Sequence, residues 1–530
     1  MKKLILLLVF LYSTGLYAQQ VYDARIGEKE ILTPEFAKMP QINGPTVYGV
    51  RPGKKIVYRI PCTGQRPMQF KVKGLPKGMT LDAVNGIISG ISPSEKGEYP
   101  MTLTAKNNDG KVSRNFKLIV GDKIALTPPT GWNSWGGHML LISDSLIRKV
   151  ADVFVKRGFA DVGFQYISMD DCWMKISPEN YAARSEGKKQ QHEGFNYDGL
   201  IGDVRDQNGN IIPNSHFPDM KAMTDYIHSF GLKAGLYSSP GPFTCQNFAG
   251  SLGHEKPDAD QYASWGFDLL KYDLCSGGKC LSCLRESGAK FPQSEFWRPM
   301  ATYLLQQDRD ILFNLCQYGQ EEPWKWAPSM SISSWRSSGD LNHKVENYFA
   351  NAMRIATELR EYSKPGQWND PDFMYIHKIV DYRKMMQPTR EIPLNTNQRY
   401  QYVTLWSVVC APYFFSCNLY EIDDFTVRLL TNAGLMNINQ DELGHVAEVL
   451  RNSDNEVIMV KKLADGSKVI ALFNTNADTE KVIELKSQEF GFKSNAVVYD
   501  VWRQKSAGNF GDKMKVKLSA NGVALFHVKL

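Results

Sequence analysis

The chain has 530 residues, 43% of them hydrophobic and 22% charged, with a formal net charge of +6. That length predicts two to four domains with large cores, and the composition excludes a disordered or low-complexity protein. Lys and Arg cluster only in pairs such as Lys54-Lys55 and Lys188-Lys189, so the excess charge reads as solvated surface and no nucleic-acid partner is expected.

The chain opens like an export signal. Lys2-Lys3 is followed by the apolar stretch 4–11 and by Leu16-Tyr17-Ala18, a small-residue cleavage site before Gln19. The stretch is too short to span a bilayer. The expectation is removal of residues 1–18 and a soluble bacterial protein, periplasmic or secreted, with no membrane insertion. Export permits disulfides, and nine Cys leave at least one without an intrachain partner. Cys275, Cys280 and Cys283 crowd one segment with no His nearby. This favours a disulfide or free thiols over zinc, and no metal is expected.

Residues 41–122 read as a small all-β module. Strand candidates are 55–60, 70–72, 86–89, 99–105 and 116–120, broken by Pro76-Lys77-Gly78, Asn85-Gly86 and Asp109-Gly110 turns. Short strands at this spacing predict a sandwich. No sugar-binding aromatic cluster is evident in it, so a spacer or packing role is expected.

From Thr127 the pattern changes to strand–helix alternation, and 127–444 is expected to form a (β/α)8 barrel. Gly131-Trp132-Asn133-Ser134-Trp135 opens it. A helix is predicted over 144–157, with Leu146, Val150, Val153 and Phe154 on one face, and another over 219–230. The remaining strand candidates are 166–169, 233–237, 267–272, 311–315, 333–336, a short one near Trp368, and the stretch 402–415. After Gly444 the pattern returns to pure β. Candidates at 457–462, 468–473, 482–485, 496–501, 514–518 and 523–528 predict a C-terminal antiparallel domain over 445–530.

Acidic residues recur where barrel strands end. Asp170-Asp171 follows the second strand, Asp273 the fourth and Asp340 the sixth. The C-terminal strand ends of a parallel barrel converge on one face, so residues far apart in sequence can meet there. Each Asp alone reads more readily as a helix cap. Together they suit a polyhydroxylated substrate, and Asp273 and Asp340 suit the carboxylate pair of a retaining glycosidase, roughly 5 Å apart. Lys271 shares a strand face with Asp273. It is expected to hold Asp273 ionised, while Asp340 keeps its proton more tightly. Arg336, four residues before Asp340, is a candidate donor to a sugar hydroxyl or one half of a salt bridge. Trp132 and Trp135 are candidates for an apolar wall or for core.

At this point the motifs resemble the melibiase-type α-galactosidases of glycoside hydrolase family 27. The resemblance spans about 127–444 and the C-terminal β domain. It rests on Pro129-Thr130-Gly131-Trp132-Asn133-Ser134-Trp135, 166–173, 231–237, Leu270-Lys271-Tyr272-Asp273, Trp335-Arg336-Ser337-Ser338-Gly339-Asp340, Trp368-Asn369-Asp370-Pro371-Asp372 and Ile438-Asn439-Gln440-Asp441, in that order. Residues 74–79 and 86–90 likewise resemble immunoglobulin-like modules attached to bacterial glycosidases. The resemblance implies Asp273 as nucleophile and Asp340 as acid/base. It implies Asp170 and Asp171 on the axial and primary hydroxyls of galactose, and Lys271 and Arg336 on ring hydroxyls. Trp132, Tyr237 and Asp372 complete the implied pocket, a Cys245–Cys275 disulfide is implied, and no cofactor. The implied partner is an oligosaccharide or polysaccharide with terminal α-galactose.

The chain departs from the family at 316–319, where Cys316-Gln317-Tyr318-Gly319 replaces Cys-Glu-Trp beside the sugar's 2-position. Gln317 there favours a hydroxyl over an acetamido group. The alternatives are a β-L-arabinopyranosidase, an α-N-acetylgalactosaminidase, or a carbohydrate-binding protein without catalysis.

Overall fold

The structure, a computed structural model, describes residues 21–288, 290–341, 344–492 and 495–529. The predicted export signal lies outside these residues.

The core of the molecule is a ring of parallel strands: β1 Thr130–Asn133, β2 Tyr166–Ser168, β3 Lys233–Ser238, β4 Leu269–Asp273, β5 Leu312–Cys316, β6 Ser334–Arg336, β7 Trp368–Asp370 and β8 Tyr413–Ser416. Neighbours pair in sequence order, and β8 returns to β1 through Trp132↔Phe415. The ring closes through the chain just after β7, where Met374 and Tyr375 pair with Phe415 and Ser416. These strands are buried on both faces, which explains their continuous apolar runs. The helix Asp144–Lys156 packs Ile147, Val150, Ala151 and Phe154 inward, and Ser143 caps it by accepting from the Leu146 N–H.

One expected strand is mostly helix. Residues 402–408 belong to the helix Thr396–Val408, and only Tyr413–Ser416 is strand. The helix is buried on nearly every side, so it carries no 3.6-residue polar stripe. A fully apolar run does not distinguish helix from strand. The evidence for helix was just upstream, where Asn395 and Gln398 form a reciprocal capping box.

The N-terminal module is a sandwich of a four-stranded and a three-stranded sheet. Its separate core includes Tyr58, Phe70, Leu103, Phe116 and Leu118. It sits on the N-terminal end of the barrel, away from the strand ends that carry the acidic residues. Arg51 pairs with Asp310 just before β5 (2.9 Å), Arg59 pairs with Asp161 (3.1 Å), and Lys233 at the start of β3 meets the Tyr48 hydroxyl.

The C-terminal domain stacks a six-stranded sheet on a three-stranded one around Ile470, Leu472, Leu485, Val516 and Phe526. Three of its strands were not expected from the sequence: Val21–Asp23, Glu448–Ser453 and Lys505–Phe510. Val21–Asp23, from the far end of the chain, pairs in parallel with Val516 and its neighbours.

Candidate active site

The C-terminal ends of the barrel strands bring most of the candidate residues together. Asp170 and Asp171 follow β2, Tyr237 lies in β3, Lys271 and Asp273 end β4, Gln317 follows β5, Arg336 ends β6, and Asp372 follows β7. The ladder holds neighbouring strands level, with Asp273 opposite Cys316 and Arg336 opposite Asp370. Strand alternation explains why Lys271 and Asp273 share a face.

Asp170 is the most heavily bonded carboxylate. Its Oδ2 accepts from Lys271 Nζ at 2.9 Å and from Asn133 Nδ2 at 2.9 Å, and its Oδ1 accepts the Asp171 N–H at 3.0 Å. Lys271, which shares a strand face with Asp273, is bonded to Asp170 in a buried ion pair. Its ammonium sits between two rings, 5.0 Å from the centroid of Tyr237 and 4.9 Å from that of Phe373. Burial opposes this charge, but Asp170 and its acidic neighbours hold the ammonium above its ordinary value.

Asp171 is equally enclosed. It accepts the Cys172 N–H at 2.7 Å and the Gln246 N–H at 2.9 Å. Burial nevertheless pushes its carboxyl up to about 7, the Asp170 charge adding to the effect and these hydrogen bonds opposing it. Gln246 follows Cys245, which is joined to Cys275, two residues beyond Asp273. One disulfide therefore ties the loop that holds Asp171 to the end of the strand that carries Asp273. Cys280 and Cys283 are free, on the helix Gly277–Glu286.

Asp273 is 6% exposed. The Tyr318 hydroxyl donates to its Oδ1 at 2.6 Å. Burial raises this carboxyl above its ordinary value; Lys271 and the Tyr318 hydrogen bond pull it back, and the charge of Asp340 adds to the rise. The Lys271 charge, expected to hold Asp273 ionised, opposes this rise without reversing it.

Asp340 lies on the other side, with its side chain 41% exposed. Arg336 approaches it at 3.1 Å and Asp372 at 3.2 Å. That guanidinium is fully buried, so the pair is no solvated surface bridge. Asp372 adopts a left-handed backbone (φ 98°), rare for an aspartate, and accepts the Leu341 N–H at 2.7 Å. Burial pushes its carboxyl up to about 7 against the pull of Arg336, with Asp340 adding to the rise. Asp372 thereby pins the backbone next to Asp340. A cavity of about 390 Å³ opens beside Asp340, lined also by Tyr318, Lys344, Asn347 and Asn351.

Gln317 is completely buried, and neither its Oε1 nor its Nε2 has a hydrogen-bond partner among the described residues. A ligand hydroxyl can satisfy both at once, since it donates as well as accepts. Trp132, like Gln317, is 0% exposed, and its indole N–H is donated to the Cys417 carbonyl at 3.1 Å. Its neighbour Asn133 is the residue of β1 that reaches Asp170. Trp135 keeps 7% exposure. Asn133 and Tyr318 are site residues that the sequence did not single out. Alternation from the buried Trp132 was a usable signal for the first; the second stood beside Gln317 in the departing stretch.

The family model described as α-galactosidase A matches 127–196 and 185–441. The chain belongs to this family of glycoside hydrolases. A model of the α-galactosidase C-terminal β-sandwich domain matches 453–528, and an Ig-domain model matches 40–121. An α-galactosidase of Cyamopsis tetragonoloba is 30% identical over 432 residues, covering 80% of this chain and 92% of the relative. A candidate α-galactosidase/melibiase from Bacteroides fragilis, solved by crystallography, is 31% identical; the match covers 94% of this chain and 100% of that one with a TM-score of 0.79. α-Galactosidase I of Mortierella vinacea superposes with a TM-score of 0.62 at 25% identity, over 77% of this chain and 98% of its own.

Proposed function

We propose that this glycoside hydrolase, exported from a bacterial cell, removes terminal α-D-galactosyl residues from an oligosaccharide or polysaccharide by double displacement with net retention. The observation that carries the reading is the unlike pair at the strand ends: Asp273, enclosed and oriented by a phenol, and Asp340, wet and beside an open cavity.

In the first step Asp273 attacks the anomeric carbon while Asp340 gives its proton to the leaving oxygen. In the second, Asp340 takes a proton from water as that water displaces Asp273. Arg336 contacts both Asp340 and Asp372, so a sugar hydroxyl that displaces it from Asp340 leaves it paired with Asp372. Asp171, fixed by two backbone N–H groups, is the proposed acceptor for the primary hydroxyl, a group β-L-arabinopyranosides lack. The Gln317 amide, buried and without a hydrogen-bond partner among the described residues, favours a 2-hydroxyl.

Proton NMR of 4-nitrophenyl α-D-galactopyranoside hydrolysis tests the mechanism: α-galactose should be the first product. Asp273→Asn should lose at least about 10³-fold in kcat with an unchanged fold. First formation of the β-anomer, or normal turnover by that variant, would overturn the reading. Faster cleavage of an aryl β-L-arabinopyranoside or α-N-acetylgalactosaminide would move the substrate and leave the chemistry intact.

A further inference from the structure

We infer that Tyr318 is a positioning residue for the nucleophile, and that its phenol acts mainly in the second half of the reaction, when Asp273 departs from the sugar. This rests on the assignment of Asp273 above.

Three independent features place the phenol. Its hydroxyl donates to Asp273 Oδ1 at 2.6 Å, a short, charge-assisted bond. Its backbone is left-handed (φ 63°), an uncommon state for a bulky residue, and Gly319 continues it (φ 80°). A Cβ on Gly319 would come 2.7 Å from the Ser337 carbonyl oxygen, so the turn is pressed against the segment that leads to Asp340. Its ring also lies 5.9 Å from the Arg336 guanidinium and lines the cavity beside Asp340. Another phenol of the pocket, Tyr237, is engaged differently, with its hydroxyl 3.0 Å from Cys275 Sγ.

The consequence follows from where charge goes. Tyr318 occupies Oδ1, which leaves Oδ2 for the anomeric carbon. When the Oδ2–carbon bond forms, the leaving oxygen takes the proton of Asp340 and Asp273 loses its charge. The hydrogen bond from Tyr318 then weakens. When water adds to the anomeric carbon, the bond to Oδ2 breaks, its electron pair returns to Asp273, and Asp340 takes the water's proton. The phenol stabilises the carboxylate as it reappears, so it lowers the barrier of this second step. In the first step it only draws charge away from the attacking group.

Tyr318→Phe keeps the ring and removes the donor. With 4-nitrophenyl α-D-galactopyranoside, kcat should fall about 10- to 100-fold and KM should fall with it, because the glycosyl-enzyme accumulates. Stopped-flow measurement should show a burst of nitrophenol that the parent lacks or shows less of. The acidic limb of kcat/KM should move up by about 0.5 to 1 pH unit, since Asp273 has lost a donor that favours its ionised form. A melting curve checks the fold. Parental kcat, KM and pH profile would overturn the inference. So would a lower kcat with unchanged KM, no burst and an unmoved limb, the pattern of general damage. Asp273→Asn is run in parallel. If it turns over normally, the nucleophile assignment fails; if it is inactive while Tyr318→Phe is unaltered, only the present inference fails.

Discussion

The two sides of the pocket are built on opposite plans. Around Asp170, Asp171 and Lys271, every ionisable group is buried and hydrogen-bonded: Asp170 to Lys271 and Asn133, Asp171 to two backbone N–H groups. Around Asp340 the carboxylate is 41% exposed, its ion-pair partner is Arg336, and Lys344, Asn347 and Asn351 line open space. The first side is organised before any ligand arrives, as recognition of one fixed ring requires. The second side stays wet, as suits an acid that must serve varied leaving groups and then admit water.

The largest effect should come from testing the open side. Asp340→Asn should reduce kcat about 10²- to 10⁴-fold on an alkyl or oligosaccharide α-galactoside, whose leaving oxygen needs the proton. The loss in the first step should be much smaller on dinitrophenyl galactoside, which leaves without help. Equal losses on both substrates would mean that Asp340 is no acid.

The closed side should respond in stability instead. Lys271→Met removes the cation from a buried carboxylate and should cost about 3–5 kcal/mol, read by denaturant unfolding. Adding Asp170→Asn should return part of that loss, because the stranded charge is then gone. Additive losses would show that the pair is not coupled. Gln317→Leu should behave in the opposite way. Its amide has no partner to lose among the described residues, so stability should hold or rise, while kcat/KM should fall roughly 10-fold through the missing contact to a hydroxyl. A destabilised Gln317→Leu would mean that the amide is a structural group.

How much of this was legible in the sequence depended on whether neighbours along the chain decided it. Most barrel strands were readable because they are short apolar runs ending in chemistry, as in Leu269–Asp273. The shared face of Lys271 and Asp273 follows from alternation alone. The partner of Lys271 does not, because Asp170 lies on another strand and geometry across strands chooses between two carboxylates. Residues 402–408 misled because burial on all sides erases periodicity. The Val21–Asp23 strand was hidden because its partner lies at the other end of the chain. Tyr318 was passed over although it stood beside Gln317, because only the left-handed turn brings its hydroxyl to Asp273.

The last predicted effect is a pH dependence, spread over several pH units, and it comes from the cost of closing one side. Burial raises the folded-state value of Asp171 to about 7 from an ordinary 3.8. Between about pH 4 and 7 the unfolded chain has released this proton and the folded chain keeps it. The folded state binds more protons there, so stability falls as pH rises, by at most about 1.4 kcal/mol per pH unit for one such group. Asp171→Asn carries no proton to lose, so its unfolding free energy should fall less steeply between pH 5 and 7. The comparison between the two proteins cancels groups that shift the other way, such as His138 and His192, whose values are lowered to about 4 by burial. Parallel curves would show that Asp171 is already ionised when the pocket is empty. Its two backbone N–H bonds would then outweigh its burial, and the closed side would be organised for charge as well as for shape.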